Sequence, residues 1–198
     1  MTALNREKVS IPNNSKVLIV HGAIRRSVTK VWMEAFRSYL STRGISAECF
    51  YWSGIPAGFA TRAASRKLVA RLKEIRAQRL VIWCKSTGAD VVNLAVAHTR
   101  PNLIVQVAPV FAASTTLVPE VRRVTVRLAH DSFLNFWERM RIVHPIADIG
   151  LEHLIVGPAD LHHHDLNYNR EAVLSTQQHV HLYGLYANIL AEGLRIAD

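Results

Sequence analysis

Ser86 and a set of histidines and aspartates further along the chain are the residues whose types and order could carry covalent chemistry. Residues 80–83, Leu-Val-Ile-Trp, form an unbroken apolar run, the pattern of a strand buried on both faces of a parallel sheet. Lys85-Ser86-Thr87-Gly88-Ala89 follows at once, and Val91, Val92, Leu94 and Ala95 then recur at helical spacing. A strand running straight into a helix with serine at the joint predicts a nucleophile elbow. The turn would hold Ser86 at a strained, exposed point above the carboxyl edge of the sheet. The backbone N–H of Thr87, at the helix start, suits a developing oxyanion. Against the usual Gly-x-Ser-x-Gly, this stretch keeps the second glycine as Gly88 and replaces the first with Cys84. A plain polar turn capping a helix is the competing reading of the same residues.

A serine nucleophile needs a base to take its proton, and the base needs an acid to hold its tautomer. In open parallel sheets these groups gather beyond the carboxyl ends of the strands. Asp131 lies just past a predicted strand at 122–128, whereas Asp160 and Asp165 share the histidine loop, which favours Asp131 as the acid. His130 is expected on the surface. His162, His163 and His164 follow the last predicted strand, 153–156, and neighbouring side chains in an extended loop point to opposite sides, so one of them faces Ser86. Three consecutive histidines cannot all aim at one ion, and no further His/Cys cluster has metal-ligand spacing, so no metal is expected. An earlier buried strand, 17–20, ends in His21-Gly22-Ala23, and the loop there would supply the other oxyanion N–H from Ala23 or Ile24.

The elements that must position these groups alternate from end to end. Strands are expected at 17–20, 46–50, 80–83, 103–107, 122–128 and 153–156. Between them lie a helix carrying Val31, Trp32, Ala35, Phe36, Tyr39 and Leu40 and stopped by Gly44, a basic helix, the helix after Ser86, and one with Phe133, Phe136, Trp137 and Met140 on a face. A closing helix is expected over 171–196. This alternation predicts an α/β fold, a three-layer α/β/α sandwich around a mostly parallel sheet of about six strands. Residues 1–15 read as a flexible arm and 16–198 as one domain, with no internal repeat. Residues 55–59 and the Ser/Thr/Pro-containing linker 108–121 are the segments expected to cover the site, the linker as a flap bearing Val110 and Phe111.

Bulk properties narrow the setting. The chain has 198 residues, 49% hydrophobic and 20% charged, as a globular domain does. No apolar run approaches the roughly 20 residues of a membrane span. Cys49 and Cys84 lie in apolar strands and read as buried thiols of a reducing compartment, so the cytoplasm is the expected location. The net charge of +9 is concentrated between positions 62 and 79, where Arg62, Arg66, Lys67, Arg71, Lys73, Arg76 and Arg79 oppose a single Glu74. Ala64, Leu68, Leu72 and Ile75 keep an apolar stripe there, which makes an amphipathic helix with a basic outer face. A solvated helix face is the leading reading, and such a face can also attract nucleic acid or anionic lipid. No aromatic is interleaved in it for base stacking, so nucleic acid is not the expected partner.

These residues together resemble a small lipase/esterase-like member of the α/β-hydrolase superfamily. The matching pieces are Val17-Leu18-Ile19-Val20-His21-Gly22, Tyr51-Trp52-Ser53-Gly54 with Arg62 beyond it, Lys85-Ser86-Thr87-Gly88-Ala89, Asp131, and His163-His164-Asp165-Leu166-Asn167. The resemblance implies a minimal hydrolase fold without a cap domain, His163 as base with Asp165 as its structural companion, and a pocket walled by His21, Gly22, Trp52, Ser53, Lys85, Val110, Phe111 and His164. It implies a triad of Ser86, His163 and Asp131 cleaving a small-molecule or lipid ester through an acyl-enzyme, with no cofactor. A hydrolase-fold protein with impaired catalysis, binding a polyanion or anionic surface through its basic helix, is the alternative, and pairing of two copies stays open.

Overall fold

The computed structural model describes residues 14–23, 26–112, 118, 121–128, 132–140 and 152–156, together with 184, 187 and 190. In chain order the elements are β1 (Ser15–Val20), α1 (Arg26–Thr42), β2 (Ser46–Phe50), α2 (Gly58–Glu74), β3 (Arg79–Lys85), α3 (Gly88–Val96), β4 (Leu103–Val107), β5 (Arg123–Leu128), α4 (Ser132–Arg139) and β6 (Glu152–Val156). The strands form one sheet in the order β2-β1-β3-β4-β5-β6, every pair parallel. The chain steps from β1 outward to β2, then crosses back over β1 to β3 and continues the other way. The reversal therefore falls between β1 and β3, and in such sheets ligands bind beyond the carboxyl ends of the strands at that point.

Because side chains alternate along a strand, each buried strand feeds two cores. Val17 and Ile19 of β1, Val81 and Trp83 of β3, and Val105 and Val107 of β4 pack with Trp32, Met33, Phe36 and Leu40 of α1 and with Ala187 and Leu190. Trp83 is wholly buried, with Trp32 edge-on at 5.7 Å and Phe36 at 5.2 Å between ring centres. Leu18, Val20, Ile82, Cys84 and Ile104 pack on the other face with Ala64, Leu68 and Leu72 of α2 and Ala89, Val91, Val92 and Ala95 of α3. The three layers expected from the alternation are those observed.

Local signals explain the boundaries. α1 ends because Gly44 takes φ +74, letting the N–H groups of Arg43 and Ile45 return to the Leu40 carbonyl. α2 begins at Gly58, earlier than its basic residues suggest, and stops at Glu74 because Ile75 is extended, leaving Arg76 in a linker and Arg79 in β3. β1 starts at Ser15, inside the expected arm; residues 1–13 lie outside the described ones. β5 is one strand in from the edge, and its Arg123 is buried. The expected apolar faces need correction at three places: Val31 of α1, Phe136 of α4 and Met140 just past it are 52%, 57% and 57% exposed. In α1, Met33 takes the buried place that Val31 does not.

The edge strand β2 is tied to its surroundings through Glu48. Lys16 of β1 reaches its carboxylate at 2.8 Å and Arg71 of α2 at 2.5 Å, and Arg71 also holds Glu74. The hydrogen bond from Arg71, with Lys16 assisting, holds the Glu48 carboxyl below its ordinary value of 4.5 against the opposing effect of burial. A depressed carboxyl stabilises the fold above its unfolded pKa and loses that contribution as pH falls through the folded value. Glu48→Gln is therefore expected to cost about 1 kcal/mol at pH 7, the upper end for a half-exposed pair. The cost should shrink as pH falls below the ordinary carboxylate range and vanish only below the folded value, as read by urea denaturation over a series of pH values.

Candidate active site

The crest where β1 and β3 end is built by close approach of backbone to backbone. A Cβ on Gly88, the first residue of α3, would lie 2.4 Å from the His21 carbonyl oxygen and 3.0 Å from that of Val20. A Cβ on Gly22 would lie 2.7 Å from Ser86 Cβ and 3.4 Å from its Oγ. No L side chain fits at either place without moving main chain, so both glycines are required by the packing. Between them sits Ser86 at φ +50, in the left-handed region that residues with a Cβ seldom enter. Its N–H donates to the Val107 carbonyl at 3.0 Å, and its carbonyl accepts from Ala89 at 3.0 Å and Val110 at 3.1 Å. The strain is thus held from β4 on one side and α3 on the other.

Thr87 occupies the N-cap of α3, and its carbonyl accepts the Asp90 and Val91 N–H groups that begin the helix. The strained turn expected from Ser86 to Gly88 is present. The exposure is not: Ser86 is 6% exposed, because Gly22 lies against its side chain. Cys84 in place of the first elbow glycine leaves the turn intact. It points into the core that includes Ala64, Ala89 and Ala95, small residues that leave room for a thiol. Burial pushes that thiol up to about 12, so it stays protonated at neutral pH.

A second strained residue went unforeseen. Ala108, at the end of β4, stands at φ +43 with no exposed surface, and its N–H donates to the Val126 carbonyl at 2.8 Å. Alanine carries no signal for such a conformation. Ala108 shares the distortion with Ser86 at the neighbouring strand end.

His21 has a structural part. The Trp52 N–H donates to its Nε2 at 3.1 Å, so its proton sits on Nδ1 and is given to the Gly22 carbonyl at 2.6 Å. The Trp52 indole returns a bond to the His21 carbonyl at 2.8 Å, and the two rings stack. His21 therefore locks the loop after β2 to the loop after β1, with both ring nitrogens engaged. Ser53, expected as a pocket wall, is exposed, and its Oγ accepts the Ile55 N–H in a local turn. Phe111, also expected there, is buried in the α2/α3 core, and Val110 is packed against it. Lys85 is wholly buried on the opposite face of β3 from Cys84. Ala23 is half-buried. Asp131, Ile24 and His162, His163 and His164 lie outside the described residues, as do Asp160 and Asp165.

The linker after β4 is pinned where it is described. Asn93 of α3, wholly buried, accepts the Val118 N–H at 3.2 Å and Arg123 Nη2 at 2.8 Å, and Arg123 Nη2 also donates to the Val118 carbonyl at 3.2 Å. One residue of the expected flap is therefore gripped at both its N–H and its C=O. A cleft of about 870 Å³ lies at the other edge of the sheet, lined by Asn14, Ser15, Lys16, Ser46 and residues 75–78. It opens at the amino ends of β1 and β3, away from Ser86 and from the edge where parallel sheets place their chemistry. Among the described residues no group of three His, Cys, Asp or Glu side chains could hold a metal ion.

Solved structures share this fold. A lidless α/β serine hydrolase from Xanthomonas campestris superposes with a TM-score of 0.58 at 16% identity, over 93% of this chain and 84% of that one. The fold is that of the α/β-hydrolases. Esterase 2 of Thermogutta terrifontis, in a form phosphoramylated by tabun, matches with a TM-score of 0.58 at 13% identity over 89% of this chain and 83% of its own. An esterase designated E25 matches at 0.57 and 12% identity over 94% and 71%. No protein-family model and no curated protein sequence matches the chain.

In the α/β-hydrolase fold the crest should be the most substitution-sensitive place. Gly88→Ala is expected to lower stability by about 3 kcal/mol or more, since its Cβ meets backbone that cannot yield. Ala108→Gly should leave stability within about 1 kcal/mol of wild type, since relief of the left-handed alanine offsets the lost buried methyl and the added chain entropy. Chemical denaturation midpoints decide both; a Gly88→Ala protein as stable as wild type would remove the close approach from the account.

Proposed function

We propose that the chain is a serine hydrolase acting on a carboxylic ester, a lipid or small acyl ester, with Ser86 as nucleophile. The observation that carries this reading is Ser86 held at φ +50 between β3 and α3, at the topological switch point of a parallel sheet. A left-handed residue with a Cβ is costly and persists only where its surroundings hold it, as strained nucleophile turns are held.

In the proposed reaction His163 takes the Ser86 proton as Oγ attacks the ester carbonyl, and Asp131 orients the imidazole. The N–H groups of Thr87 and of Ala23 or Ile24 receive the negative charge on the carbonyl oxygen. Collapse of the tetrahedral intermediate expels the alcohol, which takes its proton from His163, and leaves Ser86 acylated. Water activated by the same histidine releases the acid and restores the serine. His21 is unsuited to the base role, since its Nε2 already accepts from Trp52.

The test is hydrolysis of short p-nitrophenyl esters together with labelling by a fluorophosphonate probe. Wild type should turn over and label, and Ser86→Ala should lose about a thousandfold or more in kcat/KM and all labelling. His163→Ala should match Ser86→Ala, whereas His162→Ala and His164→Ala retain labelling. A folded wild-type protein that neither hydrolyses nor labels overturns the proposal.

A further inference from the structure

The outer face of α2 carries more charge than the fold uses. Arg62, Arg66, Lys67 and Lys73 are exposed, and among the described residues none of the four makes an ion pair. The carboxylates nearest in the sequence are engaged elsewhere: Glu48 binds Lys16 and Arg71, and Glu74 binds Arg71. At 3.6 residues per turn, Phe59, Arg62, Arg66 and Lys73 fall on one side of the helix, with Lys67 at its margin and Ala63 and Ala70 among them. That side runs for about 20 Å from Phe59 to Lys73. It is cationic along its length, with Glu74, paired to Arg71, at the same margin as Lys67.

At the first turn of α2 the character changes. Phe59 is 71% exposed, and Ile55 in the loop before the helix is 51% exposed. Large apolar side chains so open to water are costly to keep single and harder to explain in a pair. Both lie beyond the carboxyl end of β2, and in a parallel sheet that is the edge on which Ser86 stands.

We infer that this face of α2, with Ile55 and Phe59 at its head, docks on an anionic lipid surface. The four cations match the headgroup charge of such a surface, and the two apolar side chains reach the acyl boundary beneath it. A nucleic acid would reward the cations and leave Ile55, which has no stacking face, without a contact. The lipid surface uses both halves of the patch. The docking brings the crest edge of the sheet toward the membrane, but it rests on the surface residues alone and holds whether or not Ser86 is a nucleophile.

Co-sedimentation with vesicles tests it, using phosphatidylcholine alone and phosphatidylcholine mixed with phosphatidylglycerol, at low and high salt. Wild type is expected to bind the mixed vesicles at low salt and to leave them at high salt, with no binding to phosphatidylcholine alone. Arg62→Gln/Arg66→Gln/Lys73→Gln should weaken binding about a hundredfold, taking each cation near the surface at about fivefold. Ile55→Ser/Phe59→Ser should weaken vesicle binding about tenfold or more and leave binding to an oligothymidylate unchanged. All five positions are exposed, and unchanged circular dichroism and Tm confirm the folded variants. Failure of wild type to bind the mixed vesicles overturns the inference. So does vesicle binding that ignores the Ile55/Phe59 substitutions, or an oligothymidylate bound more tightly than the vesicles.

Discussion

Everything at the crest depends on how near the end of β1 comes to the turn between β3 and α3. Gly88 lies against the His21 carbonyl and Gly22 against the Ser86 side chain, both closer than any Cβ allows. The approach brings the start of α3 against the end of β1, and Ser86 at the joint stands in the left-handed region. The register carries the same constraint one level down, because Val20 pairs with Cys84 and the two strands end together. Ser86 is thus not strained in isolation. Its conformation is held together with the close packing of β1, β3 and α3.

Such strain persists only if its surroundings do not relax, and the supports here are polar and buried. On the α3 side of the sheet, Cys84, Gln106 and Thr125 stand in adjacent register, with Gln106 donating to the Thr125 hydroxyl at 2.7 Å. Arg123 lies one step below, tied to Asn93 and to Val118. Burial lowers the Arg123 pKa, and its Nη1 has no acceptor among the described residues, nor has Gln106 Oε1 a donor. An apolar seam would be cheaper by itself. What these groups do instead is join β4, β5, α3 and the linker in directional bonds beneath the turn. Ala108 belongs to the same assembly: left-handed like Ser86, it takes the chain off β4 so that Val110 can cap the Ser86 carbonyl.

The layers were legible because burial writes itself into composition. Apolar runs at 17–20, 80–83 and 103–105 read as interior strands, and each lies in one. The Ser86 turn was legible from Gly88, since a glycine two residues after a serine at a strand end has few other uses. What stayed hidden were features owed to tertiary contact. Nothing in Ala108 announces a positive φ, and nothing in the apolar pattern places the polar Asn93 and Arg123 inside, where packing buries both. Phe111 read as a pocket wall because it follows a strand, but an aromatic beside α3 is worth more in the core. Val31 and Phe136 misled in the opposite sense, because helical periodicity marks a stripe without saying how much of it a neighbour covers.

The charges and the crest obey different physics, and this separates what the solvent can change. Ser86, His21 and Val118 are held by buried backbone and side-chain hydrogen bonds, which ionic strength barely touches. The cations of α2 sit on the outside of a helix whose inner stripe, Ala64, Leu68 and Leu72, is already committed to the core. Neutralising them removes no packing, and screening them relieves only mutual repulsion along one face. Salt therefore acts on what the surface meets and leaves the geometry of the turn alone. The head of α2 is tied to the crest through Trp52 and His21, a clamp that is buried and neutral, and its inner stripe through the apolar packing on α3, and neither link carries a charge that salt could screen.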